Sequence, residues 1–247
     1  MNKVVTSTPI ELEDLIQITG DSLNFAIAKF KKNKEFFPIL DENKDLRLLI
    51  LKSLIQRIDV TLMSYNLMFD DSLIQALKRM WPNIKLENQI DKEKFLFDKS
   101  RALTGNYKSS LFINVFLEFE HFIRIIGKTI DPNSSNEQSI NKYSKNIIDT
   151  LVIDSSYKSL IDLLTYSRNT IHSGGFQTRE VSPIEYKGVQ YNLIKGHHVH
   201  FFDDHFLHLI IKELIELIDL IIHTPVIESI PYIPHTYADL TWEDPEE

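Results

Sequence analysis

Apolar residues recur at three- and four-residue steps along most of this chain, the period of a helix buried on one side. Over residues 11–34, Leu12, Leu15, Ile16, Leu23, Ala26 and Phe30 keep that spacing and predict a long helix, with Gly20 inside it as a point of bending or division. A second helix is predicted over 44–68, apolar on more than one face. Asp70 or Asp71 caps a short helix that stops near Pro82, because proline cannot continue the backbone ladder. Residues 83–92 are polar and read as a loop. Helices follow at 91–103 and 107–128, then a loop at PNSSN (132–136), then a helix over 141–152. Ser155 or Ser156 caps the next helix, YKSLIDLLTYSRNTIH, and Gly174-Gly175 ends it, since glycine accepts the left-handed backbone that closes a last turn.

Past those glycines the period changes to two. IEYKGVQYNLIKGHHVHFF alternates polar and apolar positions around Gly188 and Gly196, which predicts a small antiparallel hairpin near 183–201. Asp203 or Asp204 caps a final long helix over 205–223. Its apolar face, from Leu207 and Ile210 to Ile221 and Ile222, is wider than one core stripe needs, so the helix is either central or a dimer contact. The tail PVIESIPYIPHTYADLTWEDPEE carries prolines and an acidic end and reads as extended, draped over the body or a partner. The expected fold class is mainly α: a helical bundle with a small antiparallel β-hairpin insertion before the last long helix. Its expected divisions are an N-terminal helical layer (1–90), a bundle (91–224) and an extended tail (225–247).

Composition narrows the setting. The chain has 247 residues, 43% hydrophobic and 25% charged, which is ordinary for a soluble globular protein. It has no cysteine, so disulfides and thiolate metal sites are excluded and a reducing cytoplasm is the expected compartment. The N-terminal MNKVVTSTPIELEDL has no apolar leader segment. The most apolar stretch, HLIIKELIELIDLII, holds Lys212, Glu213, Glu216 and Asp219 and is too short and too charged to span a bilayer, so no membrane partner is expected. A net charge of −8 argues against broad coating of duplex nucleic acid. Contact with RNA is then confined to a local patch or an active site.

One stretch concentrates chemistry: SRNTIHSGG, residues 167–175. On a helix, Arg168 and His172 are one turn apart and about 40° apart around the axis, so they share a face. The guanidinium fork fits phosphate oxygens, and the imidazole can take or give a proton near neutral pH. Asn169 adds an amide able to hold either group, and the glycines let substrate approach closely. This set suits phosphodiester cleavage without a metal, the histidine moving protons and the arginine neutralising charge on phosphorus.

An Arg-Asn pair followed by a histidine at a helix end, in a helical protein, resembles the HEPN superfamily. The resemblance covers about residues 90–222 and is strongest over 168–175. It implies a helical bundle, a homodimer with two motifs facing one cleft, and metal-independent endoribonuclease activity in bacterial antiphage defence or a toxin system. It also implies the alternative of a catalytically inactive module binding a protein, nucleotide or RNA partner. Arg168, Asn169 and His172 are the catalytic residues so implied, with no metal and no cofactor. RNTIH has three residues between arginine and histidine, one fewer than the family's usual pattern, and Ser173 occupies the position where the histidine most often falls.

Other clusters have both plain and functional readings. The candidate motif itself can simply cap carbonyls and pair with Glu118, Glu120 or Asp162. Glu118 and Glu120 in LEFEHFIRII either form ordinary ion pairs, such as Glu120 with Arg124, or orient Arg168 or His172. His197, His198, His200, His205 and His208 offer nitrogen ligands for zinc, or are exposed histidines of a strand and a helix start. KFKKNK, residues 29–34, is a solvated helix end or a phosphate contact. No Walker loop, dinucleotide fingerprint, HExxH helix or serine elbow occurs.

Overall fold

The computed structural model describes residues 12–68, 79, 89–134, 139–197 and 204–235. Within them run α1 (Leu12–Phe36), α2 (Leu46–Met68), α3 (Gln89–Ile130), α4 (Ile140–Thr150), α5 (Ser156–His172), β1 (Ile184–Tyr186), β2 (Val189–Tyr191), α6 (Asp204–Ile222) and α7 (Pro225–Glu228). The chain is thus mainly helical, with a two-stranded antiparallel hairpin before the last long helix. The expected short helix ending near Pro82, and the caps proposed at Asp70, Asp71 and Asp203, lie outside the described residues.

The two helices expected at 91–103 and 107–128 are one 42-residue helix, α3. Gly105 sits inside it with open space where a side chain would project, so it costs helix propensity of about 1 kcal/mol without breaking the ladder. Gly20 likewise leaves α1 undivided. Gly127 has a different role: a Cβ there would collide with the ring of Tyr143, so its absence lets α4 approach α3 closely.

The wide apolar face of α6 is explained within the chain. Ile210, Leu214, Ile215, Leu217, Ile218, Ile221 and Ile222 are all fully buried, packed among α1, α3 and α5. The N-terminal helices share this core: Ala26, Leu51, Leu54 and Ile58 belong to the same buried cluster. An ionic group crosses the same contact. Lys29 of α1 donates to Glu216 and Asp219 of α6, both at 2.7 Å, and Asn33 donates to Asp219 at 2.7 Å. Burial pulls the Lys29 ammonium down, but hydrogen bonds and charge from Asp219 and Glu216 outweigh it and hold it above its ordinary value.

The described part of the tail, residues 225–235, does not run simply extended. α7 is one turn of helix, Ile227 and Ile233 are buried, and Pro234 forms an isolated antiparallel bridge with Asp45. A buried ion pair fastens this segment to the start of α2. Arg47 donates from Nε and Nη2 to the two carboxylate oxygens of Asp45, at 2.9 and 2.8 Å. Its remaining donors reach the carbonyls of Ile227, Ile230 and Pro231, and Asp45 also accepts from the Ile233 amide. The guanidinium lies 5.0 Å from the centroid of Phe37.

The hairpin pairs Ile184 with Tyr191 and Tyr186 with Val189. Lys187 and Gly188 turn it with φ of 49° and 75°, the positive values that match the twist of a two-residue loop. The ladder ends at Tyr191, short of the expected 201, and residues 198–203 are not described. The Tyr186 hydroxyl donates to Glu213 of α6 at 2.7 Å, and Lys187 reaches the other oxygen at 2.5 Å. Burial, then that hydrogen bond, push the phenol well above its ordinary value. Among the described residues no helix is long and apolar enough to cross a membrane.

Candidate functional site

Helix α5 carries the candidate residues, and local chemistry sets both its ends. Ser155 stands at the N-cap position, as expected, but makes no side-chain cap bond; the Asp154 carboxylate before it accepts from the Ser156 amide at 2.8 Å. That bond holds the Asp154 carboxyl below its ordinary value. At the far end Gly174 and Gly175 adopt φ of 68° and 92°. The Gly175 amide donates to the Thr170 carbonyl at 2.9 Å and the Gly174 amide to Ile171 at 3.2 Å, the paired bonds of a left-handed helix stop.

Leu160, Ile161, Leu163, Leu164, Ser167 and Thr170 form the buried face of α5. That arrangement turns Arg168, Asn169 and His172 outward: Arg168 and Asn169 are half-buried and His172 is exposed. Arg168 lies over Phe116 of α3, 5.8 Å from the ring centroid, a cation–π contact that supports the guanidinium without neutralising it. Its Nη1 reaches the Asn169 side-chain oxygen at 3.5 Å, the limit of a hydrogen bond. Among the described residues no carboxylate pairs with Arg168 or His172. Ser173 is half-buried just past the last turn, and its amide donates to Asn169 and Thr170 carbonyls.

The carboxylates expected to orient the pair are engaged elsewhere. Glu118 accepts from Arg57 of α2, at 3.2 Å from Nε and 3.0 Å from Nη2. Glu120 accepts from Arg124, one turn along its own helix, at 2.7 Å from Nη2. Asp162 accepts from Lys145 at 2.5 Å and Asn141 at 2.9 Å. The reason is competition: each acid has another cation within bonding distance, so none is left over for Arg168 or His172.

A cavity of about 490 Å³ opens along α5, but on another face. Asp162, Tyr166, Glu180 and Glu185 help line it, and Arg168 and His172 do not. Three carboxylates make it a poor path for phosphates.

Parts of the other clusters have partners within the fold. His208 is half-buried with Nδ1 2.5 Å from the Ser22 hydroxyl, and burial first, then the charge of Lys212, push its imidazole below its ordinary value. His197 and His205 are exposed, and His198 and His200 lie outside the described residues. Among the described residues no three His, Asp or Glu side chains are grouped to hold a metal. In the basic cluster, Lys29 is turned inward to Glu216 and Asp219, and Lys34 pairs with Glu42.

Two neighbours of the site escape a reading of the motif alone. Phe116 supports Arg168 from a helix about fifty positions away in sequence. Phe176, directly after the glycines, is 45% exposed beside the last turn, and its position next to a helix stop is the signal that marks it. No protein-family model, curated protein or solved structure matches this chain.

Proposed function

We propose that the outer face of the last turn of α5 is a phosphodiester site, and that the chain is a metal-independent endoribonuclease of the HEPN type. The observation that carries this reading is the state of Arg168: half-buried on Phe116, positively charged, and facing no carboxylate among the described residues. A half-buried cation without an acid favours an external anion. His172, exposed one turn on, supplies proton transfer at the same face.

In the reaction, the ribose 2′-oxygen attacks phosphorus in line and the P–O5′ bond breaks, giving a 2′,3′-cyclic phosphate and a 5′-hydroxyl. His172 accepts the 2′-hydroxyl proton or gives one to O5′. Arg168 bridges two non-bridging oxygens, where charge grows in the transition state. Asn169 holds the guanidinium or a phosphate oxygen. One imidazole performs one of the two proton transfers, so the other falls to water or to His172 of a second copy, in line with the homodimer that the resemblance implies. A setting in bacterial defence or a toxin system rests on that resemblance alone.

A second reading, an inactive module that binds RNA or another partner, is favoured by one observation. Glu118, Glu120 and Asp162 all serve other cations, which leaves His172 without an orienting acid among the described residues. Cleavage of a labelled RNA in EDTA separates the two. Arg168→Ala and His172→Ala are each expected to slow cleavage by about a hundredfold or more. Undiminished cleavage in both variants would overturn the catalytic assignment. Binding by the wild type without any cleavage selects the module.

A further inference from the structure

The cleavage proposed above leaves one of its two proton transfers to water or to a second copy. The fold holds another imidazole at the same end of α5. His121, His208 and His223 are bonded within the fold, to the His235 carbonyl, the Ser22 hydroxyl and Glu228. His172 and His197 are exposed, and neither ring is bonded among the described residues.

Both belong to one junction. The Thr170 hydroxyl, in the last turn of α5, donates to the Gln177 side chain at 3.2 Å, and Gln177 is 3% exposed. The Gln177 amide donates to the His197 carbonyl at 3.0 Å, and the Gly196 amide donates back to the Gln177 carbonyl at 2.8 Å. Residues 194–197 close a turn through the His197 amide on the Ile194 carbonyl, at 3.1 Å. Gly196 takes φ of 77° there, the left-handed value a type II turn asks of its third residue. The backbone of His197 is therefore fixed beside the helix stop while its ring is left to solvent. The charged side chains on the segments that meet here are Arg168, Arg179, Glu180 and Lys195, three cations to one acid, a balance that admits a phosphate. In-line displacement puts the entering O2′ and the leaving O5′ on opposite sides of phosphorus. The group that takes a proton and the group that gives one must then approach from two directions, which a helix end and a separate turn supply.

We propose that His197 is the second proton-transfer residue of the site, working across the scissile phosphate from His172 of the same chain. The inference rests on the phosphodiester site proposed above and completes its proton balance. One imidazole takes the 2′-hydroxyl proton as O2′ bonds phosphorus. The other, an imidazolium, gives its proton to O5′ as the P–O5′ bond breaks and its electron pair moves to that oxygen. The first ring ends charged and the second neutral, and exchange with water resets both.

The test is steady-state cleavage in EDTA, by the full-length protein, of a labelled single-stranded RNA and of the same RNA with a 5′-bridging sulfur at its cleaved linkage, a leaving atom that departs without a proton. On the oxygen substrate His172→Ala and His197→Ala are each expected to lower kcat about a hundredfold, with KM within about threefold of wild type. The bell-shaped pH dependence of kcat is expected to lose opposite limbs in the two variants. Sulfur is expected to restore one variant alone, the one that lost the acid, to within about threefold of wild type. His197→Ala keeps the backbone bonds to Gln177, so its urea midpoint should not move; if it does, His197→Gln takes its place. Cleavage by His197→Ala within about twofold of wild type, or rescue of both variants or of neither by sulfur, overturns the inference, and the site at Arg168 and His172 stands on its own variants. If both histidines are needed while Arg168→Ala is neutral, the pair stands and the arginine's part in the site falls. A wild type that cleaves neither substrate overturns the nuclease and the pair together.

Discussion

Arg47 and Arg168 carry the same side chain into opposite situations. Arg47 is 1% exposed, and its guanidinium meets both oxygens of Asp45, three backbone carbonyls and the ring of Phe37. Arg168 has an aromatic ring beneath it, one marginal amide contact and no acid among the described residues. Every donor of the first is directed to the chain itself, so it can only fasten. The second has fork positions left over, so it can receive something from outside. Burial explains the contrast: a charge taken fully out of water must find all its partners inside the fold, whereas one at the surface can leave partners to solvent or ligand.

The largest effect should come from breaking the saturated arginine. Arg47→Ala leaves the Asp45 carboxylate buried without its cation and should cost about 3–5 kcal/mol, read as a lowered urea midpoint at unchanged slope. A loss below about 1 kcal/mol would dissolve the comparison. The open arginine should behave in reverse. Arg168→Lys keeps the charge and loses the fork, so RNA cleavage in EDTA should drop at least tenfold while the urea midpoint barely moves. A large stability loss there would place Arg168 with Arg47.

A smaller effect concerns acid. The His208 imidazole is pushed below its ordinary value of 6.5, so the unfolded chain binds its proton more readily than the folded one. Its contribution is present above pH 6.5 and is lost as pH falls from there through the lowered folded value. Denaturation at pH 7.5 and 5.5 should show a drop that His208→Gln flattens. Asp219, held below its ordinary 3.8 by Lys29 and Asn33 against burial, contributes at all pH above that value, and its share is lost only in stronger acid. The smallest effect is expected from Glu118→Gln and Glu120→Gln. Each removes a partly exposed ion pair worth at most about 1 kcal/mol and should leave cleavage within about twofold. A hundredfold fall in cleavage in either variant would restore the orienting role that their observed partners argue against.

The helices were legible where the signal is periodic and local. The predicted 11–34, 44–68, 141–152 and 205–223 match α1, α2, α4 and α6 within a few residues. The stop at Gly174-Gly175 and the turn at Gly188 were legible too, because glycine announces positive φ. The same kind of stop ends α4, where Val152 takes φ of 56° and the Ile153 amide donates to the Ile148 carbonyl. No glycine marks it, and a branched residue in that conformation is held only by its surroundings. The expected division between 91–103 and 107–128 spans Gly105 and the polar residues around it. In α3 the helical ladder continues through them, as propensity is a weak term beside the packing of a long helix.

At the site, the adjacency of Arg168, Asn169 and His172 follows from helical spacing, and so does their exposure once the apolar positions of α5 are assigned to the core. Which acid meets which base does not follow. Asp45 and Arg47 are two residues apart with nothing local to mark them, and the carbonyls that complete the pair come from a tail segment 183 positions later. Glu118 was near enough in pattern to be a partner for Arg168, and Arg57 of α2 claims it instead.

Periodicity and turn residues were therefore sufficient for the mainly helical class, the hairpin and the shared face of the candidate residues, because each depends on neighbours within a turn or two of backbone. The three-dimensional packing alone decided the pairing of charges, the central position of α6 and the cation left open over Phe116. Those outcomes depend on which groups, far apart along the chain, compete at bonding distance after the core has closed.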